Sequence, residues 1–336
     1  MRVTTRRLTQ HVLKFRDSGF RDNGAEPVLF VHGNISSGAF WRDTLKALPE
    51  PYLPLAPDLR GFGETDPAPV DATRGLRDFS DDLTELIETL ALPKAHLVGW
   101  SMGGGVVLQL LRDHPGLVRS ITLVNPVSPY GYSGTEGPDG RLTHEDGTGA
   151  GAGAANPDFV ARLRAGDTSD ESPTSPRSVF RSSYVAAPVP DEDFYVASML
   201  TTRIGEHNYP GDAATSDRWP GVAPGKSGVL NALAPTHFRL DDLHELPEKP
   251  PILWIRGADD LIVADASPFD LAHLGAIGVV PGSPGTPAQP MIAQTRAVLE
   301  RYGRYEEAVL PNCGHSPHLE HPQEFRRLLL DHLGRS

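Results

Sequence analysis

Cysteine occurs once in this chain, at Cys313, which excludes an intramolecular disulfide and any metal site built from several thiolates. Long apolar runs are also missing: no stretch reaches the roughly 18 consecutive apolar residues that a membrane-spanning helix needs. Positive charge is in deficit. The formal net charge is −12, which argues against a nucleic-acid or anionic-membrane surface. Arg2, Arg6 and Arg7 open the chain, but no apolar segment follows them, so a secretory signal is not expected. No internal repeat is present. These absences point to a cytoplasmic protein, a monomer or homodimer, with no cofactor, no metal, no nucleic-acid partner and no membrane.

What is present is a globular chain. It has 336 residues and 39% hydrophobic content, enough for a large core with an inserted subdomain. Up to residue 127, short apolar strands alternate with amphipathic helices, the pattern of a largely parallel sheet covered on both faces. Val28–Val31, Tyr52–Ala56, Ala95–Val98 and Ile121–Val124 read as strands. Phe79, Leu83, Leu86, Ile87 and Leu90 form one helical apolar stripe with acidic residues opposite. Residues 128–247 are richer in glycine, proline, serine and aspartate, and read as an inserted cap. Its run Gly147–Gly153 is expected to be a flexible loop, and helices are expected near 157–165, 177–186 and 191–204. Core-like sequence returns in 248–336, with a strand at Ile252–Ile255, a helix over 288–302, a strand over 306–310 and a last helix carrying Phe325, Leu328, Leu329 and Leu333.

Chemistry concentrates at Gly99-Trp100-Ser101-Met102-Gly103, a G-x-S-x-G string between an apolar strand and a helix-like run. A strand that reverses into a helix so abruptly strains the serine backbone, and only glycines two positions away allow the close passage. The Met102 N–H, at the helix start, is then placed to stabilise an oxyanion. A serine hydroxyl needs a base to take its proton and an acid to orient that base. His315, in the loop after the final strand, is the candidate base, and Asp259 and Asp260 are the candidate acids at the end of the Ile252–Ile255 strand. The N–H of Asn34, after the early strand, is the expected second oxyanion donor.

These pieces resemble the α/β-hydrolase superfamily, and within it a serine hydrolase with an inserted cap. The resemblance is carried by His32-Gly33, Asp58-Leu59-Arg60-Gly61-Phe62-Gly63, the Ser101 elbow, Gly257-x-x-Asp260-x-x-Val263, and Gly314-His315 followed by Glu320-x-Pro322. In that family the acid lies three residues after the glycine, which selects Asp260 over Asp259. The spacing likewise selects His315 over His318 and His321. His32-Gly33-Asn34 with Trp41 is also similar to haloalkane dehalogenases, but those use a carboxylate nucleophile where this chain has Ser101. The resemblance therefore implies a Ser101–His315–Asp260 triad, an oxyanion hole from Asn34 and Met102, and hydrolysis of an apolar or aromatic ester or lactone. Trp100, Tyr184 and Tyr195 are expected in the substrate pocket. Thioesterase, carbon–carbon hydrolase and perhydrolase chemistry on the same groups remain alternatives, as does a non-catalytic ligand receptor. Asp58, Arg60 and His32 are expected to be structural, and Cys313 to be an inert small hydrophobe.

Overall fold

The computed structural model describes residues 1–15 and 24–336. Its centre is an eight-stranded sheet of β1 (Arg2–Thr4), β2 (Thr9–Leu13), β3 (Glu26–Val31), β4 (Tyr52–Pro57), β5 (Ala95–Trp100), β6 (Val118–Val124), β7 (Ile252–Gly257) and β8 (Tyr305–Leu310). The spatial order is β1-β2-β4-β3-β5-β6-β7-β8. β1 and β2 pair antiparallel, β2 pairs antiparallel with β4, and every neighbour from β4 to β8 is parallel. All six residues of β5 are buried, as are all but the first of β3. Strands covered on both faces lose the alternation of polar and apolar residues, which is why Val28–Val31 reads as one unbroken apolar run.

The chain crosses between these strands through α1 (Arg42–Ala47), α2 (Arg77–Thr89), α3 (Met102–Asp113) and α7 (Met291–Tyr302), and α8 (Pro322–Leu333) follows the last strand. α3 packs on β5 and against α2, and α8 packs against β7. The α2 stripe of Phe79, Leu83, Leu86 and Ile87 is fully buried, each side chain contributing about 1.5–3 kcal/mol by leaving water. The acidic residues of α2 do not all lie opposite, as the pattern suggests. Asp82 is buried, held by Arg60 at 2.6 Å and Arg7 at 2.7 Å, and Asp78 is buried against Arg7 and Arg74. Three arginines from outside the helix make that burial tolerable.

Residues 128–247 add no strand to the main sheet. They contain α4 (Pro157–Ala165), α5 (Pro176–Val179) continued by a π-helical turn at Phe180–Tyr184, and α6 (Glu192–Met199). α4 starts where its sequence says it should. Asn156 accepts from the N–H groups of Asp158 and Phe159, Pro157 opens the helix, and Gly166 closes it in the left-handed region. α6 is shorter than the expected 191–204. The segment sits over the loops that follow β3 and β4: Ser198 Oγ lies 2.7 Å from Ser37 Oγ, and the Arg203 N–H donates to the Gly61 carbonyl at 2.8 Å. The Gly147–Gly153 run is not a loose loop. Residues 147–152 are buried, Thr148 Oγ1 donates to the Val222 carbonyl, and the Ala152 N–H donates to Asn231. Its glycines serve positive φ at 147, 149 and 151, and a side chain at Gly151 would meet Asn231 Oδ1 at 2.5 Å. Residues 264–290, between β7 and α7, pack on Trp219, whose indole donates to the Pro281 carbonyl at 2.9 Å.

Candidate active site

Ser101 sits between β5 and α3 with φ 55° and ψ −121°, a backbone state that costs a non-glycine residue of order 1–3 kcal/mol. The surroundings hold it there. Its N–H donates to the Val124 carbonyl at 2.9 Å, and its own carbonyl accepts from Gly104 at 2.9 Å and Val127 at 3.0 Å. Both flanking glycines are forced: a Cβ on Gly99 would strike the Gly103 carbonyl, and one on Gly103 would strike the carbonyls of Val31 and His32. The loop after β3 comes equally close, since a Cβ on Gly33 would lie 2.9 Å from Ser101 Cβ and 3.4 Å from its Oγ.

Asp260 and His315 are joined and buried. His315 Nδ1 lies 2.9 Å from Asp260 Oδ2, while Asp260 Oδ1 accepts the N–H groups of Ile262 at 2.8 Å and Val263 at 3.1 Å. An ionised carboxylate only accepts, so the Nδ1 of a neutral imidazole carries the proton and Nε2 is left with its lone pair. Asp259 is exposed and makes no such bond. The His315 backbone is anchored to the Ser101 side of the sheet, because its carbonyl accepts from the Trp100 indole at 2.7 Å and from Asn125 Nδ2 at 2.9 Å. Asn125 Oδ1 also accepts from the Gly257 N–H. Asn125 was not legible as a functional residue; its only signal is a lone amide directly after a buried apolar strand. Glu320 secures the same loop, accepting from the N–H groups of Gly314 and Ser316.

The loop after β3 is fixed by His32. The Leu59 N–H donates to His32 Nε2 at 2.9 Å, so the ring proton sits on Nδ1, which donates to the Gly33 carbonyl at 2.8 Å. Ser36 Oγ donates to the same carbonyl at 2.8 Å. Gly33 C=O and Asn34 N–H belong to one trans peptide, so pinning the oxygen aims the N–H the opposite way. Burial lowers the His32 pKa, which keeps the ring neutral and this tautomer in place. Among the described residues neither the Asn34 nor the Met102 N–H has an acceptor of its own.

The competing groups are accounted for. His318 is buried, stacked 4.1 Å from the Trp41 ring and edge-on to Trp100, and its burial pushes the pKa well below the usual range. His321 is tied to the Asn312 carbonyl. Burial, with Glu320 nearby, pushes the Cys313 thiol up, away from thiolate reactivity. Asp58 accepts from the N–H groups of Gly38 and Glu64, and Arg60 is spent on Asp82. The three aromatic residues expected in the substrate pocket are buried. Trp100 is fully buried and stacked on Phe40, Tyr184 and Tyr195 are almost fully buried, and the polar atoms of Trp100 and Tyr184 are used on backbone carbonyls. The Tyr195 hydroxyl turns toward Asp43, with the pKa raised by burial to about 12. These three side chains hold the site's walls in place instead of presenting polar groups to a ligand. A surface cavity of about 650 Å³ lies elsewhere, lined by Arg42, Arg177 and the 189–194 stretch. Its arginines already pair with Asp191 and Glu192.

A strained serine follows β5, and a buried acid–histidine pair follows β7 and β8, each just beyond the carboxyl end of a parallel strand. Residues 28–328 match the family described as alpha/beta hydrolase. The chain belongs to the alpha/beta hydrolase family. It is similar to RutD of Variovorax paradoxus, 38% identical over 125 residues, which is 37% of this chain and 47% of that protein. It is also similar to the non-heme chloroperoxidase CPO-A1 of Kitasatospora aureofaciens, 36% identical over 124 residues, 36% of this chain and 44% of that one. The chain thus spans less than half the length of the curated relatives it matches. Among solved structures it resembles carboxylesterase CesB of Bacillus subtilis, with a TM-score of 0.62, 15% identity, and coverage of 100% of this chain and 91% of that one. At that identity the likeness speaks for the fold alone. Among the described residues no helix is long and apolar enough to cross a membrane, and no group of three or more His, Cys, Asp or Glu is arranged to hold a metal ion.

Proposed function

We propose that this alpha/beta hydrolase cleaves a carboxylic ester or lactone of an apolar or aromatic small molecule, with Ser101 as nucleophile, His315 as base and Asp260 as the group that orients the base. One observation carries the reading. The buried 2.9 Å contact between His315 Nδ1 and Asp260 leaves Nε2 as the unprotonated nitrogen, on a loop tied to the residue before Ser101. His315 takes the Ser101 proton as Oγ attacks the carbonyl carbon. The oxyanion is received by the Asn34 and Met102 N–H groups, each contributing about 3 kcal/mol to the transition state. Collapse expels the alkoxide, which takes the proton back from His315 and leaves as the alcohol. Water, deprotonated by the same imidazole, then releases the acid and restores Ser101. The 128–247 segment acts in this proposal as a cap that selects the acyl or alkyl group.

Support comes from the relative named as a carbamate hydrolase, 38% identical over the residues it matches. Ser101→Ala is expected to abolish turnover of short p-nitrophenyl esters while leaving the circular dichroism spectrum unchanged. Full activity in that variant rejects the proposal. The chloroperoxidase relative favours one further reading, in which hydrogen peroxide replaces water at the acyl-enzyme and a peracid leaves. Peracid formation from acetate and peroxide, lost in the same variant, distinguishes it.

A further inference from the structure

The inserted segment crosses the site at Tyr184-Val185-Ala186, and both ends of this tripeptide are bonded to catalytic loops. The Tyr184 hydroxyl donates to the Asn34 carbonyl at 3.0 Å and lies 3.5 Å from that of Ile35. Two residues on, the Ala186 N–H donates to Glu320 Oε2 at 2.7 Å, the carboxylate that also receives the N–H groups on either side of His315. The crossing is tight enough that a Cβ on Gly314 would lie 2.8 Å from the Ala186 nitrogen. The Tyr184 ring also meets Trp100 and His315 edge-on, with centroids 5.9 and 6.0 Å away.

A second, independent observation lies in the loop itself. Ile35 has φ 49°, a state that a β-branched residue adopts only when its surroundings hold it there. His32 and Ser36 fix the peptide before Asn34; among the described residues, no hydrogen bond from the core side holds the carbonyl after it. Tyr184 does, from the inserted segment. The π-helical turn that ends at Tyr184 sets this side chain one residue out of α-helical phase.

We propose that Tyr184 is a positioning residue for acylation: its hydroxyl locks the Asn34–Ile35 peptide, so that the turn whose preceding peptide aims the Asn34 N–H is held from both sides, while Ala186 and Glu320 lock the His315 loop. Docking of the inserted segment and assembly of the catalytic groups are then one event. This inference rests on the hydrolase reading above. The test is Tyr184→Phe in the full chain, which keeps the ring and removes one hydrogen bond. With p-nitrophenyl acetate, kcat is expected to fall about tenfold with KM within twofold, the pattern of an interaction realised in the transition state. The inhibition constant of phenylboronic acid, whose tetrahedral adduct uses the oxyanion donors, is expected to rise by a similar factor. Amide exchange at 33–36 is expected to quicken while β3 and β5 are unaffected. Unchanged kcat and boronate affinity overturn the proposal, and so does a proportional rise in KM with kcat intact. A wild type that neither turns over ester nor accepts a fluorophosphonate at Ser101 overturns the hydrolase reading instead. The exchange comparison then decides alone whether Tyr184 fixes the loop: faster exchange at 33–36 supports it and unchanged exchange overturns it.

Discussion

Asp260→Asn separates orientation of the histidine from everything else the aspartate does. The replacement has the same shape, so its amide must choose which atom faces His315. Oδ1 of Asp260 accepts two backbone N–H groups, from Ile262 and Val263. Turning an NH2 toward both would set donor against donor twice, at about 1–3 kcal/mol each. The amide oxygen therefore stays on the backbone and the NH2 meets His315 Nδ1. That nitrogen must now accept, the ring proton moves to Nε2, and the base that should take the Ser101 proton is gone. Restoring the productive tautomer means imposing the same donor clash elsewhere, about 4–5 kcal/mol in all, or between three and four orders of magnitude in rate. The assay is kcat/KM on p-nitrophenyl acetate, with the melting temperature as a fold control. The expected result is a loss of at least a thousandfold with the melting temperature within a few degrees of wild type. A variant keeping more than a tenth of wild-type activity would refute the tautomer argument.

Other predictions follow from the same structure. Gly103→Ala pushes a methyl into the carbonyls of Val31 and His32, and urea denaturation should show a loss of about 2 kcal/mol or more; Gly116→Ala, with open space around it, should stay within about 0.5 kcal/mol. Burial holds the His332 pKa down at about 4 and keeps His32 and His318 below their ordinary range. The unfolded chain takes up these protons first, so their contribution is whole above pH 6.5 and drains as pH falls toward 4, by up to about 3 kcal/mol for His332. Urea unfolding from pH 7 to 4.5 should show a shallower decline for His332→Gln than for wild type, and parallel curves would contradict this. Cys313 should resist a soluble disulfide reagent until the protein unfolds, since its thiol is buried and its pKa raised.

The parallel strands β3 to β7 and the helices α2 and α4 are legible because their signals are local: unbroken apolar runs, one apolar stripe, and a cap made of Asn156, Pro157 and Gly166. β1 and β2 are not, because they form an antiparallel edge of which Val12 is the one fully buried apolar side chain among mostly polar residues. The nucleophile elbow could be read because steric demand fixes glycine at both flanks. The choice of Asp260 over Asp259 needed the family resemblance, and in the structure burial separates the two. Asn125 stayed hidden for a different reason, as did the supporting roles of Tyr184 and Glu320, which the sequence singles out for other parts. Asn125, Tyr184 and Glu320 act through single hydrogen bonds to backbone atoms far away in sequence, and no spacing rule announces such a bond. The glycine run at 147–153 misleads for a related reason, since its mobility is removed by packing against Asn231 and Val222 rather than by anything in its own composition.

The proposed mechanism stands or falls on Ser101 being a nucleophile activated by His315. Intact-mass analysis after brief exposure to a fluorophosphonate probes this without a substrate. One phosphonyl adduct per chain is expected, mapped to the peptide carrying Ser101, with no adduct at equal exposure in Ser101→Ala or His315→Ala. Absence of labelling in the wild type, or labelling that persists undiminished in His315→Ala, would contradict it.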